Sequence, residues 1–226
     1  MTSRLISALP RRVVVVALGL VATLAAACGA PVVSGVSSDF ALNRADDGHV
    51  VRWNPCAAIH WRLDSRIAPA GALNQVNAAL GSLSSATGMT FVYDGTTAYT
   101  PQVGTWNLPD SVVVSFGRHS GLPMGSNWLT GAGQIGEGGW SASGTSQANV
   151  KIVKGYVVID TDVYNRSTSG QRTAALLHEL GHAVGLNHAA LQSEVMYPSI
   201  MTTSPTYYAQ GDLSGLRAVG RGAGCL

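Results

Sequence analysis

Three histidines in the C-terminal quarter of the chain stand at a spacing that few folds can use. They are His178, His182 and His188, in the run His-Glu-Leu-Gly-His-Ala-Val-Gly-Leu-Asn-His. Residues four positions apart lie on one face of a helix, so the first two imidazoles can converge on one point. Gly185 can adopt the left-handed conformation that ends a helix, which would turn the chain and bring His188 back to the same point. The sequence therefore predicts a helix that ends near Gly185 and three histidines at one site.

The residues before this run carry the signals of a helix start. Thr168-Ser169-Gly170-Gln171 has the form of a capping box. Apolar residues follow at helical spacing, namely Ala174, Leu176, Leu177, Leu180 and Val184. We therefore expect an amphipathic helix that presents the histidines on one face and buries its other face in the core.

Three imidazoles and one open position form a ligand set of catalytic zinc sites. Glu179 follows the first of these histidines and can reach the water side of the metal, where a carboxylate takes a proton from zinc-activated water. The sequence predicts one catalytic zinc ion, held by His178, His182 and His188, and Glu179 as the general base. The predicted reaction is hydrolysis of a peptide bond without a covalent intermediate.

The complete pattern, His-Glu-x-x-His-x-x-Gly-x-x-His, resembles the motif of the metzincin clan of zinc metalloproteases. Glu194-Val195-Met196-Tyr197-Pro198 resembles the Met-turn of that clan, and its Met-Tyr-Pro is similar to that of the matrixins, the matrix metalloproteinase family. Asp212-Leu213-Ser214-Gly215-Leu216 is similar to the start of the matrixin C-terminal helix. The resemblance implies a zinc endopeptidase that cleaves extracellular proteins or peptides.

The same resemblance implies roles for single residues and a fold. Met196 would form a hydrophobic floor beneath the zinc, and Tyr197 and Pro198 would begin the wall of the pocket for the residue after the scissile bond. The implied fold is an α/β (α+β) zincin domain, in which a twisted mixed sheet accompanies an active-site helix and a C-terminal helix. The sequence has no Pro-Arg-Cys-Gly cysteine switch and no counterpart of the segment that binds structural zinc in animal matrixins. It is therefore similar to minimal bacterial matrixins.

Hydrophobic patterns predict a mixed order of strands and helices around the motif. Strands are predicted at residues 59–63, 89–93, 112–116 and 156–159, and helices at 72–83 and 212–219, the last with Asp212 as its N-cap. Residues 117–149 are rich in Gly, Ser and Asn, which predicts long loops around one short strand at 129–135. In matrixins this region supplies the edge strand with which an extended substrate pairs, so the resemblance implies that role here.

The N-terminal residues indicate export. Arg4, Arg11 and Arg12 precede an apolar run at 13–27, so residues 1–27 are typical of a signal peptide. Residues 28–38 predict a flexible linker, and 39–226 the catalytic domain. The run that ends Ala-Ala-Ala-Cys28 resembles a bacterial lipobox, which favours lipidation of Cys28, although an Ala-rich run also suits an ordinary signal peptidase. We expect a protein that is secreted or tethered to the outer face of the cell membrane.

Cysteine count and charge complete these expectations. If Cys28 is lipidated, Cys56 and Cys225 remain as a pair that can form a disulfide outside the cytosol; the alternative is two buried, unpaired thiols. Without the signal peptide the chain carries eleven basic and twelve acidic residues, a net charge of −1, which gives no indication of nucleic-acid binding. We expect a monomer.

Two other functions and one other metal are considered. A non-catalytic zinc-binding surface lipoprotein would need no base at Glu179, and an inactive adhesion module would need no open position on the metal. Asp160, Asp162 and Glu137 offer oxygen ligands of the kind that calcium takes, but no EF-hand loop or comparable cluster is visible, so calcium is allowed without being predicted. The histidines outside the motif lack partners at ligand spacing and are not predicted to bind metal; they are His49, His60 and His119.

Overall fold

The computed structural model describes residues 37–102, 111–119, 129, 133–144 and 149–226. The predicted signal peptide, Cys28 and nearly all of the linker at 28–38 lie outside the described residues. Where the structure is described, no helix is both long and apolar enough to cross a membrane.

Five strands of the described chain form one mixed sheet. In chain order they are β2 (Ile59–Asp64), β3 (Phe91–Thr97), β4 (Val112–Gly117), β5 (Gly136–Ser143) and β6 (Lys151–Asp160), and a separate pair is formed by β1 (Ala41–Leu42) and β7 (Leu186–Asn187). The order across the sheet is β3-β2-β4-β6-β5. All neighbours are parallel except β5, which runs antiparallel to β6 and lies at one edge. The predicted mixed sheet is therefore confirmed.

The described helices are α1 (Ala72–Thr87), α2 (Thr161–Arg166), α3 (Ser169–Ala183) and α4 (Gln210–Val219). The apolar face of α1 contributes Val76, Leu80 and Leu83 to the main core, where they meet residues of the sheet and of α3. The middle strand β4 is buried along its whole length, as expected for a parallel strand covered on both faces. The other face of the sheet carries a smaller cluster that includes Val113, Tyr156 and Val158.

Two predictions about local structure are wrong. Of the short strand predicted at 129–135, residues 130–132 lie outside the described residues, and residues 129 and 133–135 are not in a strand. The edge strand β5 instead begins at Gly136 and runs through glycine-rich residues that were predicted to be loop. Asp212 is not the N-cap of the last helix: α4 begins at Gln210, and the Asp212 carboxylate accepts a hydrogen bond from the Ala209 N–H at 3.0 Å. The helix α2 is absent from the sequence-based prediction.

A disulfide joins Cys56 to Cys225, so the segment before β2 is linked to the C-terminal residues. Arg52 strengthens this connection, since its guanidinium donates to the carbonyls of Gly224 at 2.9 Å and Ala223 at 3.1 Å. Nearby, the indole N–H of Trp53 donates to the carbonyl of Ala183, the last residue of α3, at 2.9 Å. The disulfide region therefore contacts the end of the helix that carries the histidines.

Candidate active site

The helix α3 begins as its sequence predicts. The Thr168 hydroxyl accepts from the Gln171 N–H at 3.2 Å, and the Gln171 side chain accepts from the Thr168 N–H at 3.1 Å, so the capping box is confirmed. After Val184 the chain turns at Gly185, whose φ of 110° lies in the left-handed region that the sequence analysis expected. A side chain there would be strained, which explains why glycine suits this turn.

The three histidines of the motif come together at the end of this helix. One ring nitrogen from each of His178, His182 and His188 lies within 4.8 Å of the others. The ring centroids are 4.7 to 5.3 Å apart. His178 is buried with 5% of its surface exposed, whereas His188 faces solvent. The site is therefore anchored in the core on one side and open on the other.

Hydrogen bonds to backbone carbonyls set the tautomers of the two helical histidines. The Nδ1 atom of His178 lies 2.8 Å from the Val195 carbonyl, and that of His182 lies 3.0 Å from the Leu186 carbonyl. Because a carbonyl only accepts, each Nδ1 carries the proton and each Nε2 presents a lone pair. Carbonyl partners of this kind orient the histidine ligands of metal sites.

Burial favours the neutral form of these rings. Desolvation, aided by the nearby His182 and His188, lowers the pKa of His178 to about 3. Desolvation also lowers the pKa of His182 to about 4, with a smaller contribution from His188. Both imidazoles are therefore neutral near pH 7, which is the form that binds a metal ion.

This arrangement fits a zinc ion. The Nε2 atoms of His178 and His182 are 3.1 Å apart with their lone pairs toward one another, which is repulsive unless a cation lies between them. Two nitrogens bound to one tetrahedral zinc at about 2.0–2.1 Å would be about 3.3–3.4 Å apart. A site of three neutral imidazoles is also a ligand set that zinc accepts.

Glu179 lies beside the histidines in a nearly closed environment. Only 4% of its surface is exposed. Desolvation and the nearby Glu137 raise its pKa well above the ordinary value, although the Gly138 backbone N–H donates a hydrogen bond that acts in the opposite direction. A divalent cation at the histidines would favour the ionised carboxylate. Glu179 is thus a buried carboxylate whose affinity for a proton is already increased.

The glycines of β5 let this strand approach the helix α3 closely. A Cβ atom at Gly138 would lie 2.2 Å from the Glu179 carbonyl oxygen, and one at Gly136 would lie 2.9 Å from the Glu179 Cγ. Glycine inside a strand often marks such an approach of two backbones. Gly136 and Gly138, which belong to the stretch predicted to be loop, are therefore needed as glycines because β5 packs closely against α3.

We expect Gly138→Ala to destabilise the protein, because the new methyl group meets backbone that cannot move aside freely. The free energy of unfolding should fall by about 1–3 kcal/mol or more, the usual cost of overpacking. Gly81→Ala is a matched control: its Cβ would meet nothing within 4 Å on α1, and removing a helical glycine typically adds about 0.5–1 kcal/mol. Urea unfolding of both variants measures the difference. Equal stability of the two would contradict the close approach of β5 and α3.

Met196, which the resemblance places beneath the zinc, is 1% exposed and packs against the helix of the motif; its role as a hydrophobic floor stays a prediction. Its sulfur would be 2.4 Å from a Cβ atom at Gly181, so the glycine between Glu179 and His182 leaves room for it. Asp212 holds this turn, because its carboxylate accepts from the Val195 N–H at 2.8 Å and from the Met196 N–H at 3.2 Å. The Val195 carbonyl in turn holds His178, so Asp212 acts on a histidine through one peptide unit.

A cleft of about 670 Å³ runs between β5 and α3. Pro198 lines this cleft, and Tyr197 is half-buried next to it; their roles in substrate binding stay predictions. Several lining residues were not found by sequence reasoning, because no local pattern marks them; they are Asn43, Ile135, Val163, Ser167, Gln171 and Ile200.

The histidines outside the motif each pair with an aspartate in the structure. His49 contacts Asp47, His60 contacts Asp94 at 2.8 Å, and His119 contacts Asp160 at 3.1 Å. The carboxylates considered for calcium also have other partners. Asp160 caps α2, Asp162 forms an ion pair with Arg118, and Glu137 accepts a hydrogen bond from Gln134. In the described residues, His178, His182 and His188 are the one group of three or more such side chains suited to a metal ion.

Comparison with known proteins agrees with this site. The sequence model of the family described as Matrixin matches residues 59–219, which is most of the chain and includes the strands β2 to β6 and the helix α3. A search of curated proteins finds no match. The resemblance seen in the sequence is therefore confirmed, and the chain belongs to the matrixin family of metallopeptidases.

Proposed function

We propose that the protein is a zinc-dependent endopeptidase in which Glu179 is the general base. The observation that carries this proposal is the convergence of three neutral imidazoles next to a buried carboxylate, in a cleft below the edge strand of the sheet. Bound there, zinc would supply Lewis acidity toward a water molecule and toward the substrate carbonyl. The ligands His178, His182 and His188 would hold it and leave one position open.

The side chains of this protein perform the remaining steps. Glu179 accepts the proton of the attacking water and later gives it to the departing amine, a task that suits a carboxylate whose pKa is raised by burial. The nearly dry surroundings of Glu179 strengthen each electrostatic interaction in the cleft. No covalent intermediate forms, and Glu179 serves first as base and then as acid.

The edge strand β5 supports binding of an extended peptide. One edge of β5 pairs with β6, and residues 133–140, which include the start of this strand, line the cleft. An extended chain can add to such an edge through backbone hydrogen bonds, with alternate side chains entering the cleft. The walls of the cleft include Ile135, Val163, Pro198 and Ile200, whose apolar groups favour an apolar side chain of the substrate.

We also propose that the enzyme acts outside the cell. The proposal rests on the signal-peptide pattern at residues 1–27 and on the disulfide between Cys56 and Cys225, since disulfides persist in oxidising compartments. Lipidation at Cys28 would tether the protein to the outer face of the membrane. Metabolic labelling with a fatty acid, compared in wild type and Cys28→Ser, distinguishes tethered from free protein: equal labelling of both would contradict the tether.

Metal removal tests the enzymatic proposal. Purified protein should contain about one zinc ion per chain and cleave a mixed peptide library, since three imidazoles hold one ion. A zinc chelator should abolish cleavage, and added zinc should restore it, because the carboxylate alone does not activate water sufficiently at neutral pH. The sequences at the cut sites then report side-chain preference. Protein that holds zinc but cleaves no peptide would instead support a zinc-binding surface protein.

A further inference from the structure

The histidines of the site are held in two different ways. His178 and His182 are part of α3, and each ring also donates to a backbone carbonyl. His188 lies beyond the helix, in residues 184–191, which we call the His188 loop. The ring of His188 forms no hydrogen bond with any residue that the structure describes. Its backbone N–H donates to the Asn187 side chain at 2.9 Å. The position of this ring therefore depends on whatever holds the backbone of the His188 loop.

Residues 39–43, here called the N-terminal arm, lie along that loop. The strand β1 of the arm pairs antiparallel with β7 of the loop, with Ala41 opposite Asn187 and Leu42 opposite Leu186. Asn43 follows, and both its backbone N–H and its side-chain amide lie 3.4 Å from the Gly185 carbonyl. The arm thus holds the part of the loop that precedes His188.

Asp39 holds the part of the loop that follows His188. One carboxylate oxygen accepts from the Ala190 N–H at 3.1 Å, and the other accepts from the Leu191 N–H at 3.1 Å. Hydrogen bonds to a charged acceptor are stronger than neutral ones, and two bonds from one planar group also set a direction. The Ala189 N–H donates to the Met196 carbonyl at 2.9 Å, so three successive backbone N–H groups after His188 have partners.

The backbone of Asp39 is itself held in place. A Cβ atom at Gly211 would lie 2.2 Å from the Asp39 carbonyl oxygen, so the arm lies directly against the first turn of α4. Phe40 similarly lies 3.2 Å from the position of a Cβ at Gly215. Asp39 therefore extends from a packed backbone rather than from a free terminus.

We propose that Asp39 is a positioning residue for the metal site: its carboxylate holds the His188 loop so that the third imidazole meets the other two. The inference rests on the proposed zinc site and extends it to a residue far away in sequence. Asp39 touches neither metal nor substrate, so its effect passes through the Ala190 and Leu191 N–H groups. The arm that follows the predicted linker accordingly helps to position one ligand of the metal site.

The variant Asp39→Asn tests this inference. Asparagine keeps the shape but has one accepting oxygen and presents an NH₂ group to the second backbone N–H. Zinc affinity, measured by competition with a chromogenic chelator, should fall about tenfold, the lower end of what partners outside the ligand shell contribute. Asp94→Asn is a matched control on the far edge strand β3, where Asp94 contacts His60 and Arg62, and it should bind zinc as the wild type does. Asp39→Glu retains two accepting oxygens and should recover part of the loss.

A double-mutant cycle with His188→Ala separates positioning from general loosening. If Asp39 acts through His188, then Asp39→Asn should cause no further loss of zinc affinity once His188 is alanine. The same loss in both backgrounds, or no loss in the single variant, would overturn the inference while leaving the zinc site intact. Wild-type protein that binds no zinc would overturn the proposed function and this inference with it. If Asp39→Asn does not fold, the comparison of Asp39→Glu with the wild type, alone and with His188→Ala, decides the question in the same way.

Discussion

Replacing Glu179 with glutamine is expected to lower kcat/KM for peptide cleavage by about 10²–10⁴-fold, the usual contribution of a general base. Glutamine has nearly the same volume and can fill the 4%-exposed site below Gly136, but its amide does not take a proton from water. Zinc should remain at about one ion per chain, because the carboxylate is not one of the three ligands. Peptide hydrolysis and zinc content measured on the same sample check both parts.

A control variant and the zinc content of the Glu179→Gln variant decide how its loss of activity is interpreted. Asp94→Asn removes one carboxylate from the far edge of the sheet and should leave cleavage unchanged, which controls for net charge. Loss of zinc along with activity would mean that Glu179 supports the metal site rather than the proton transfer. Activity within tenfold of wild type, with zinc retained, would contradict the role of Glu179 as base.

Removing the disulfide should have the largest effect on stability. The double variant Cys56→Ser, Cys225→Ser opens a loop between residues 169 positions apart. By the chain-entropy relation, a cross-link over such a loop stabilises the folded state by about 5 kcal/mol, because it restricts the conformations of the unfolded chain. The contacts of Arg52 with Ala223 and Gly224 do not depend on the sulfur atoms, so the folded state should keep its form.

Urea unfolding measures this prediction. The free energy of unfolding of the double variant should be lower than that of the oxidised wild type, and reduced wild type should match the variant. A difference below about 1 kcal/mol would mean that the unfolded chain keeps the two ends together without the bond.

The sequence predicted best the features that depend on neighbouring residues. The capping box at Thr168, the helical spacing of His178 and His182 and the turn at Gly185 are all local, and the structure has them as predicted. Strand β2 agrees as well, at Ile59–Asp64 against a predicted 59–63, because alternating burial is visible within the strand itself.

The errors arise where distant contacts decide. The glycines of β5 disfavour a strand locally. They are needed because a side chain at these positions would collide with α3, about forty residues later in the chain. Asp212 resembles an N-cap in sequence, yet its carboxylate accepts hydrogen bonds from the backbone N–H groups of Val195, Met196 and Ala209. Asp39 and Asn43 carry no signal at all, since a strand of two residues has no period and its partner lies near the other end of the chain.

The disulfide also affects what a proteolytic cut, by another protease or by the enzyme itself, would do to the molecule. The residues between Pro198 and Tyr207 connect the Met196 turn to α4, and several of them are exposed. A single cut there would separate α4 from the histidines in sequence. Cys225 lies on the downstream piece and Cys56 on the upstream one, so the two pieces would remain one covalent molecule. Asp212 could then stay beside Val195, and a nicked chain would keep the means to hold His178 in place.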